Sequence, residues 1–201
     1  MKRSAEDALR TKQSILVASL GAFESHGWRG ATFEVIAREA GVSRGALNHH
    51  FTSKFELLSE ALQFGWLEFG GRLFAEDTVS VSAREKLQTL LRRYIQWLQV
   101  DPKFRALVST TVIVAPQASR SGNDQKSEAL ASWKREIEKY LSYTSGLPVS
   151  SDFIARNLVV FLQGLAVTAI TNPADLPALS ELDANVVYLV DGFLGKGIVP
   201  T

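Results

Sequence analysis

No stretch constrains this chain more than residues 32–56, TFEVIAREAGVSRGALNHHFTSKFE, where two short helices and a tight turn are written into 25 consecutive positions. Thr32 is placed to cap the first helix, whose apolar residues Phe33, Ile36, Ala37 and Ala40 recur at i, i+3, i+4 and i+7 and so mark one buried face. Gly41 ends it, because a glycine just past a helix tolerates the left-handed conformation that satisfies the last carbonyls. Gly41-Val42-Ser43 then reads as a turn in which Ser43 caps the next helix. Two helices joined this closely form a helix-turn-helix.

The second helix sorts its residues by face. Leu47 and Phe51 sit four apart on one side and are expected to pack inward, while Arg44 and Asn48, also four apart, point outward. Gly45 and Ala46 beside the polar pair let the backbone approach a groove wall, and the Ala46 methyl can meet a thymine methyl. Arginine and asparagine suit paired hydrogen bonds to guanine and adenine edges. Ser53-Lys54-Phe55-Glu56 has the Ser-x-x-Glu spacing of a capping box and starts a further helix. Lys54 in its first turn runs against the charge preference of a helix start, and a phosphate partner would explain it.

From about Gln13 to Leu62 the chain resembles the TetR family of bacterial transcriptional regulators. The segment ILVASLGAFESHGWRGATFEVIAREAGVSRGALNHHFTSKFELLSEAL follows that family's order of helix, Gly-aromatic turn, Thr-initiated helix, Gly-Val-Ser turn, recognition helix and Ser-Lys helix start. Beyond Leu62 the likeness is one of layout. The resemblance implies that Arg44, Gly45, Ala46 and Asn48 face DNA bases, and that Thr32, Ser43, His49 and Lys54 hold phosphates. The family usually has a tyrosine where this chain has Asn48, so a phosphate-binding tyrosine is absent. Asn48 then either reads a base or bonds the DNA backbone.

Composition is consistent with that reading. The 201 residues carry a net charge of +1, but residues 1–54 hold eight Lys or Arg against five acids, while the remainder holds 14 against 16. The basic excess is N-terminal, and the rest is slightly acidic. Absence of cysteine excludes disulfides, thiolate metal sites and cysteine nucleophiles. His49 and His50 are adjacent and point about 100° apart on a helix, so they cannot chelate one ion as an i, i+4 pair could; no metal site or cofactor is expected. His49 lies on the outward side, whereas His26 and His50 are expected to be half-buried packing. Met1 to Asp7 lacks the apolar core of a signal peptide. The longest apolar stretch, Phe153 to Ile170, is interrupted by Arg156, Asn157 and Gln163 and reads as a buried helix rather than a membrane span.

The chain is therefore expected to be all-α: an N-terminal three-helix helix-turn-helix DNA-binding domain over residues 1–55, and a C-terminal helical domain for ligand binding and dimerisation over 56–201. Further helices are expected over about 5–26, 53–74, 82–100, 101–114, 125–143, 151–171 and 181–194, with a polar loop at Pro116 to Asp124. Aromatic residues Trp66, Tyr94, Trp97, Phe104 and Trp133, with polar Ser109, Thr110, Thr111, Asn157 and Gln163, have the make-up of a small-molecule pocket, although aromatics in a helical core are more often packing than recognition. The last two long helices carry more apolar positions than one stripe each, among them Phe153, Phe161, Val187, Val190 and Phe193, and Gly164 permits close helix approach. By the resemblance, part of that surface pairs two identical chains. Symmetry argues the same way, since two helix-turn-helix units one DNA turn apart read a palindrome.

These features point to a cytoplasmic, homodimeric, DNA-binding repressor released from its operator by a small-molecule effector. The resemblance also implies that helix 4 is the lever, and glycines 65, 70 and 71 are expected to let it bend. An enzyme is disfavoured, because no Ser/His/Asp grouping, phosphate-cradling loop or metal spacing is present. The competing reading is a helical protein-interaction module in which the helix-turn-helix is only an architectural corner.

Overall fold

Apolar spacing of 3 and 4 residues along nearly the whole chain leaves helices as the way to bury it. The computed structural model describes residues 5–75, 82–118, 124–142 and 144–195, and every regular element among them is helical. They are α1 (Ala5–Gly30), α2 (Phe33–Glu39), α3 (Arg44–His50), α4 (Lys54–Leu73), α5 (Ala83–Val100), α6 (Pro102–Ser109), a π-helical turn (Thr110–Val114), α7 (Ala115–Ala118), α8 (Asp124–Leu141), α9 (Ser151–Thr171) and α10 (Leu182–Leu194). Short 3-10 turns at Pro173–Asp175 and Leu179–Glu181 link the last two helices.

Two compact units form. The first contains residues 1–69 and 102–127, the second residues 70–101 and 128–201. This grouping differs from the 55/56 division expected from the sequence, because Leu57, Leu58, Ala61 and Leu62 of α4 and Phe104, Leu107 and Val108 of α6 belong to the same buried core as Ile15, Leu20 and Phe23 of α1. Helix α4 thus starts in one unit and ends in the other.

In the first unit, Gly27 takes φ +64°, a conformation glycine adopts without steric cost, and breaks α1 near the point expected from sequence. The break lets Trp28 fold back and stack on Phe23, with ring centroids 5.9 Å apart. The expected polar loop from Pro116 is corrected at its start: residues 116–118 are helical, and residues 119–123 lie outside the described residues. Proline lacks an N–H and its ring clashes with the carbonyl four residues back, which normally stops a helix. Here the Ala115 N–H bonds the Thr110 carbonyl, and the widened π turn accommodates the proline.

In the second unit, α5 buries Leu87, Leu90, Leu91, Tyr94, Ile95 and Leu98 on one stripe, and a complete capping box between Ser82 and Glu85 fixes its start. Helix α10 is tied to α5 by ion pairs Arg84–Asp191 and Arg92–Asp183, and the Arg84 guanidinium also donates to the Gly195 carbonyl at 3.0 Å. Trp133 of α8 is enclosed by Tyr94 and Phe74, with centroids 6.0 and 5.9 Å away. At Gly70 a Cβ would lie 3.0 Å from the Trp133 indole nitrogen, so the missing Cβ admits that ring. In the first unit Gly65 admits Leu107, whose nearest methyl would be 2.7 Å from an added Cβ. Only Gly71 of the three has open space around it.

Candidate nucleic-acid interface

The helix-turn-helix is held at each joint by a group the sequence supplies. Thr32 is extended and its hydroxyl accepts the Val35 N–H at 3.3 Å, starting α2. Gly41 at φ +67° ends that helix, and Ser43 accepts the Ala46 N–H at 3.1 Å to start α3. Both hydroxyl protons remain able to donate to a phosphate oxygen. Leu47 and Phe51 are buried beneath α3, each contributing about 1.5–3 kcal/mol of apolar transfer energy. That anchoring fixes which side of the helix faces out.

Arg44, Gly45, Asn48 and His49 are exposed and Ala46 is partly so. Structure and sequence therefore agree on the outward face of α3. One partner was not legible in the sequence: Glu34, in the first turn of α2, forms an ion pair with the Arg44 Nη1, although the two side chains stay 57% and 61% exposed. Ten residues separate them, and no helical spacing flags such a pair.

Lys54 has partners within the protein that the sequence did not announce. Its ammonium donates to the Trp28 carbonyl and lies 4.4 Å above the centre of the Trp28 ring, and burial pushes its pKa below the ordinary lysine value. A lysine in the first turn is thus explained within the protein, without a phosphate. An ammonium has three donors, so this bond leaves capacity for a further oxygen. At Ser53 the hydroxyl accepts the Glu56 N–H at 3.1 Å, and the Glu56 carboxylate accepts from the Thr52 hydroxyl at 2.6 Å and the Thr52 N–H at 2.8 Å. Those bonds, the Thr52 hydroxyl first, hold the Glu56 carboxyl below its usual range.

His26 is corrected from packing residue to surface group, with its Nε2 3.2 Å from the Glu39 carboxylate across the α1–α2 corner. His50 is half-buried, and its ring centroid is 6.3 Å from that of Phe51. Lys12, on α1, pairs with Glu60 at 2.6 Å and lies over the Phe51 ring, bracing α3 from behind. Lys2 and Arg3, counted in the basic excess, lie outside the described residues.

The residues expected to line an effector pocket fall into separate groups. Trp66 and Phe104 meet edge to face in the first unit, and the Trp66 indole donates to the Thr111 hydroxyl at 3.1 Å. Tyr94, Trp97 and Trp133 belong to the second unit, where the buried Tyr94 hydroxyl donates to the Leu162 carbonyl at 3.0 Å and Arg72 lies over the Trp97 ring. Asn157 and Gln163 donate to carbonyls of their own helix, Phe153 and Val159. A cleft of about 220 Å³ does open in the first unit, between Val17, Leu20 and Gly21 of α1, Phe64 of α4 and Ala106 of α6. None of the expected pocket residues lines it. Glu24 at its edge has its carboxyl pushed up by burial, which the nearby Arg105 partly opposes.

The expected pairing surface also divides. Phe153, Gly164 and Val187 are exposed, Phe161 and Phe193 pack on each other with centroids 6.2 Å apart, and Val190 is corrected to a core residue with no exposed area. Sequence reasoning missed Val160, Val167 and Tyr188, which are exposed. Along α9, residues 153, 157, 160, 164, 167 and 171 all face solvent, while 154, 155, 158, 159, 162, 165 and 166 are buried. By length and composition α9 could cross a membrane, with mean hydropathy 1.7. Its apolarity comes from carrying a core face and an exposed apolar seam at once.

Residues 15–61 match the family model described as bacterial regulatory proteins, tetR family. Over 61 residues the chain is 43% identical to the uncharacterized HTH-type transcriptional regulator TtgW of Pseudomonas putida, which covers 30% of this chain and 46% of that protein. Over 104 residues it is 36% identical to the probable acrEF/envCD operon repressor of Escherichia coli K12, covering 51% of this chain and 46% of the repressor. The aligned segments thus span about half the length of these relatives. In fold, the chain resembles the transcriptional regulator FadR of Bacillus subtilis, solved in complex with stearoyl-CoA, with TM-score 0.70, 17% identity, and coverage of 89% of this chain and 96% of that one.

Proposed function

Because residues 15–61 carry the helix-turn-helix domain of the TetR family of transcriptional regulators, we propose that the protein is a homodimeric, ligand-responsive repressor that binds a palindromic operator. The observation that carries this reading is the division of α3, with Leu47 and Phe51 buried and Arg44, Gly45, Asn48 and His49 exposed. An architectural corner would not need a guanidinium, a carboxamide and a glycine together on its solvent side. In this reading Arg44 and Asn48 meet base edges, Gly45 and Ala46 allow close approach, and Thr32, Ser43, His49 and a remaining donor of Lys54 hold phosphates. Residues 1–55 supply DNA contact and 56–201 the effector and pairing functions. The protein acts in the cytoplasm and is not an enzyme.

Pairing is supported by the α9 seam of Phe153, Asn157, Val160, Gly164, Val167 and Thr171, which repeats at alternating steps of 4 and 3 as two packed helices require. Val187 and Tyr188 extend it on α10. Effector response is supported by the FadR likeness, whose stearoyl-CoA complex shows the fold accepting a ligand.

The test is selection of binding sites from a random duplex library, followed by titration of the winning duplex at several salt concentrations. A palindrome with half-sites about one turn apart, bound two chains per site, is expected. Each neutralised phosphate should add about −0.9 to the slope of log K against log salt. No enrichment and a flat salt dependence would reject DNA binding and favour a protein-interaction module.

A further inference from the structure

We propose that Glu34 is a specificity-determining positioning residue for DNA recognition, acting through its ion pair with Arg44. The proposal rests on the DNA-binding reading above and adds a residue that reading leaves without a role.

The pair is too exposed to be there for stability, since exposed ion pairs contribute little. Its position is more telling. Glu34 lies two residues past Thr32, in the first turn of the helix that crosses the DNA backbone in a helix-turn-helix. An acid is favoured there by the helix dipole of the free protein, but phosphates would repel it. Pairing with Arg44 cancels that charge, and it equally removes Arg44 as a free cation for nonspecific phosphate attraction.

The guanidinium is not exhausted by this contact. Arginine has five N–H donors, and Glu34 engages Nη1, so Nε and Nη2 retain the two parallel donors that a guanine O6 and N7 accept. Glu34 therefore holds the planar fork from one side while the other side stays available to a base. A single phosphate oxygen gains less from a fork already neutralised than a guanine edge gains from one already oriented. Discrimination follows from withholding charge and fixing direction together.

The experiment compares wild type, Glu34→Gln, Arg44→Ala and the double variant, using the duplex selected from the random library, its single base-pair variants and an unrelated duplex. Glu34→Gln is expected to tighten binding to the unrelated duplex and to steepen its salt slope by about 0.9 per recognition helix, because Arg44 becomes free to neutralise a phosphate. At the base pair whose preference Arg44→Ala abolishes, Glu34→Gln should lower discrimination about two- to twelve-fold, half of what a paired contact supplies on a logarithmic scale. In the Arg44→Ala background it should change discrimination nowhere. Thermal midpoints of wild type and Glu34→Gln should agree, separating positioning from folding. Unchanged nonspecific affinity and discrimination in Glu34→Gln, with a wild type that prefers its selected duplex, overturns the proposal. A wild type with no preferred duplex is a different failure, that of the DNA-binding reading, and the proposal falls with it.

Discussion

Replacing Gly70 and Gly71 one at a time separates two roles that the sequence runs together. Both lie in the last turn of α4, where alanine in place of glycine gains about 0.5–1 kcal/mol from backbone entropy. At Gly71 nothing lies within 4 Å of an added Cβ, so the gain should appear in full. For a chain of this size it corresponds to a rise of about 1–4 °C in the thermal midpoint. At Gly70 the new methyl would stand 3.0 Å from the Trp133 indole nitrogen, and Trp133 is 4% exposed and flanked by Phe74 and Tyr94, so it has little room to retreat. Overpacking of this kind costs about 1–3 kcal/mol, which outweighs the backbone gain and leaves Gly70→Ala destabilised by about 1 kcal/mol. Circular dichroism melts, with urea midpoints as a second measure, should therefore move in opposite directions for the two variants. Equal stabilisation by both would refute the packing argument and return Gly70 to the role of a flexible joint. Gly71→Ala is also the clean variant for asking whether a stiffer α4 blunts effector response, because it disturbs no neighbour.

Lys54→Ala should lower stability by about 1–2 kcal/mol before DNA is considered, through loss of the Trp28 carbonyl bond and ring contact; an unchanged melt with a reduced salt slope would mean the lysine serves phosphate alone. Burial holds the Tyr94 phenol protonated above its ordinary range, so the native state keeps a proton that the unfolded chain loses above about pH 10, and stability should fall as pH rises beyond that point. Tyr94→Phe should flatten this decline in urea midpoints measured from neutral to alkaline pH, while costing about 0.5–1.5 kcal/mol at neutral pH through loss of its bond to the Leu162 carbonyl, which keeps its place inside α9. Val160→Glu places a charge in the middle of the α9 seam at a position exposed in the single chain, so sedimentation should show monomers whose helical content is intact. A dimer that survives this change would place the pairing surface elsewhere.

Local chemistry was enough to write the helix-turn-helix. Thr32, Gly41 and Ser43 act within a few residues of themselves, and the 3.6-residue period alone puts Leu47 and Phe51 opposite Arg44 and Asn48. The same local rules place the start of α5 at the Ser82–Glu85 capping box. Contacts across long separations were out of reach. Nothing in the spacing of Lys54 and Trp28, 26 residues apart, or of Glu34 and Arg44 announces that they meet, because the chain must first fold to bring them together. Composition could not say which apolar residues of α9 and α10 belong to the core, since a buried valine such as Val190 and an exposed one such as Val187 are chemically the same until the helices pack. The glycines of α4 make the same point: flexibility and close packing both call for a missing Cβ, and only the position of Leu107 and Trp133 decides between them.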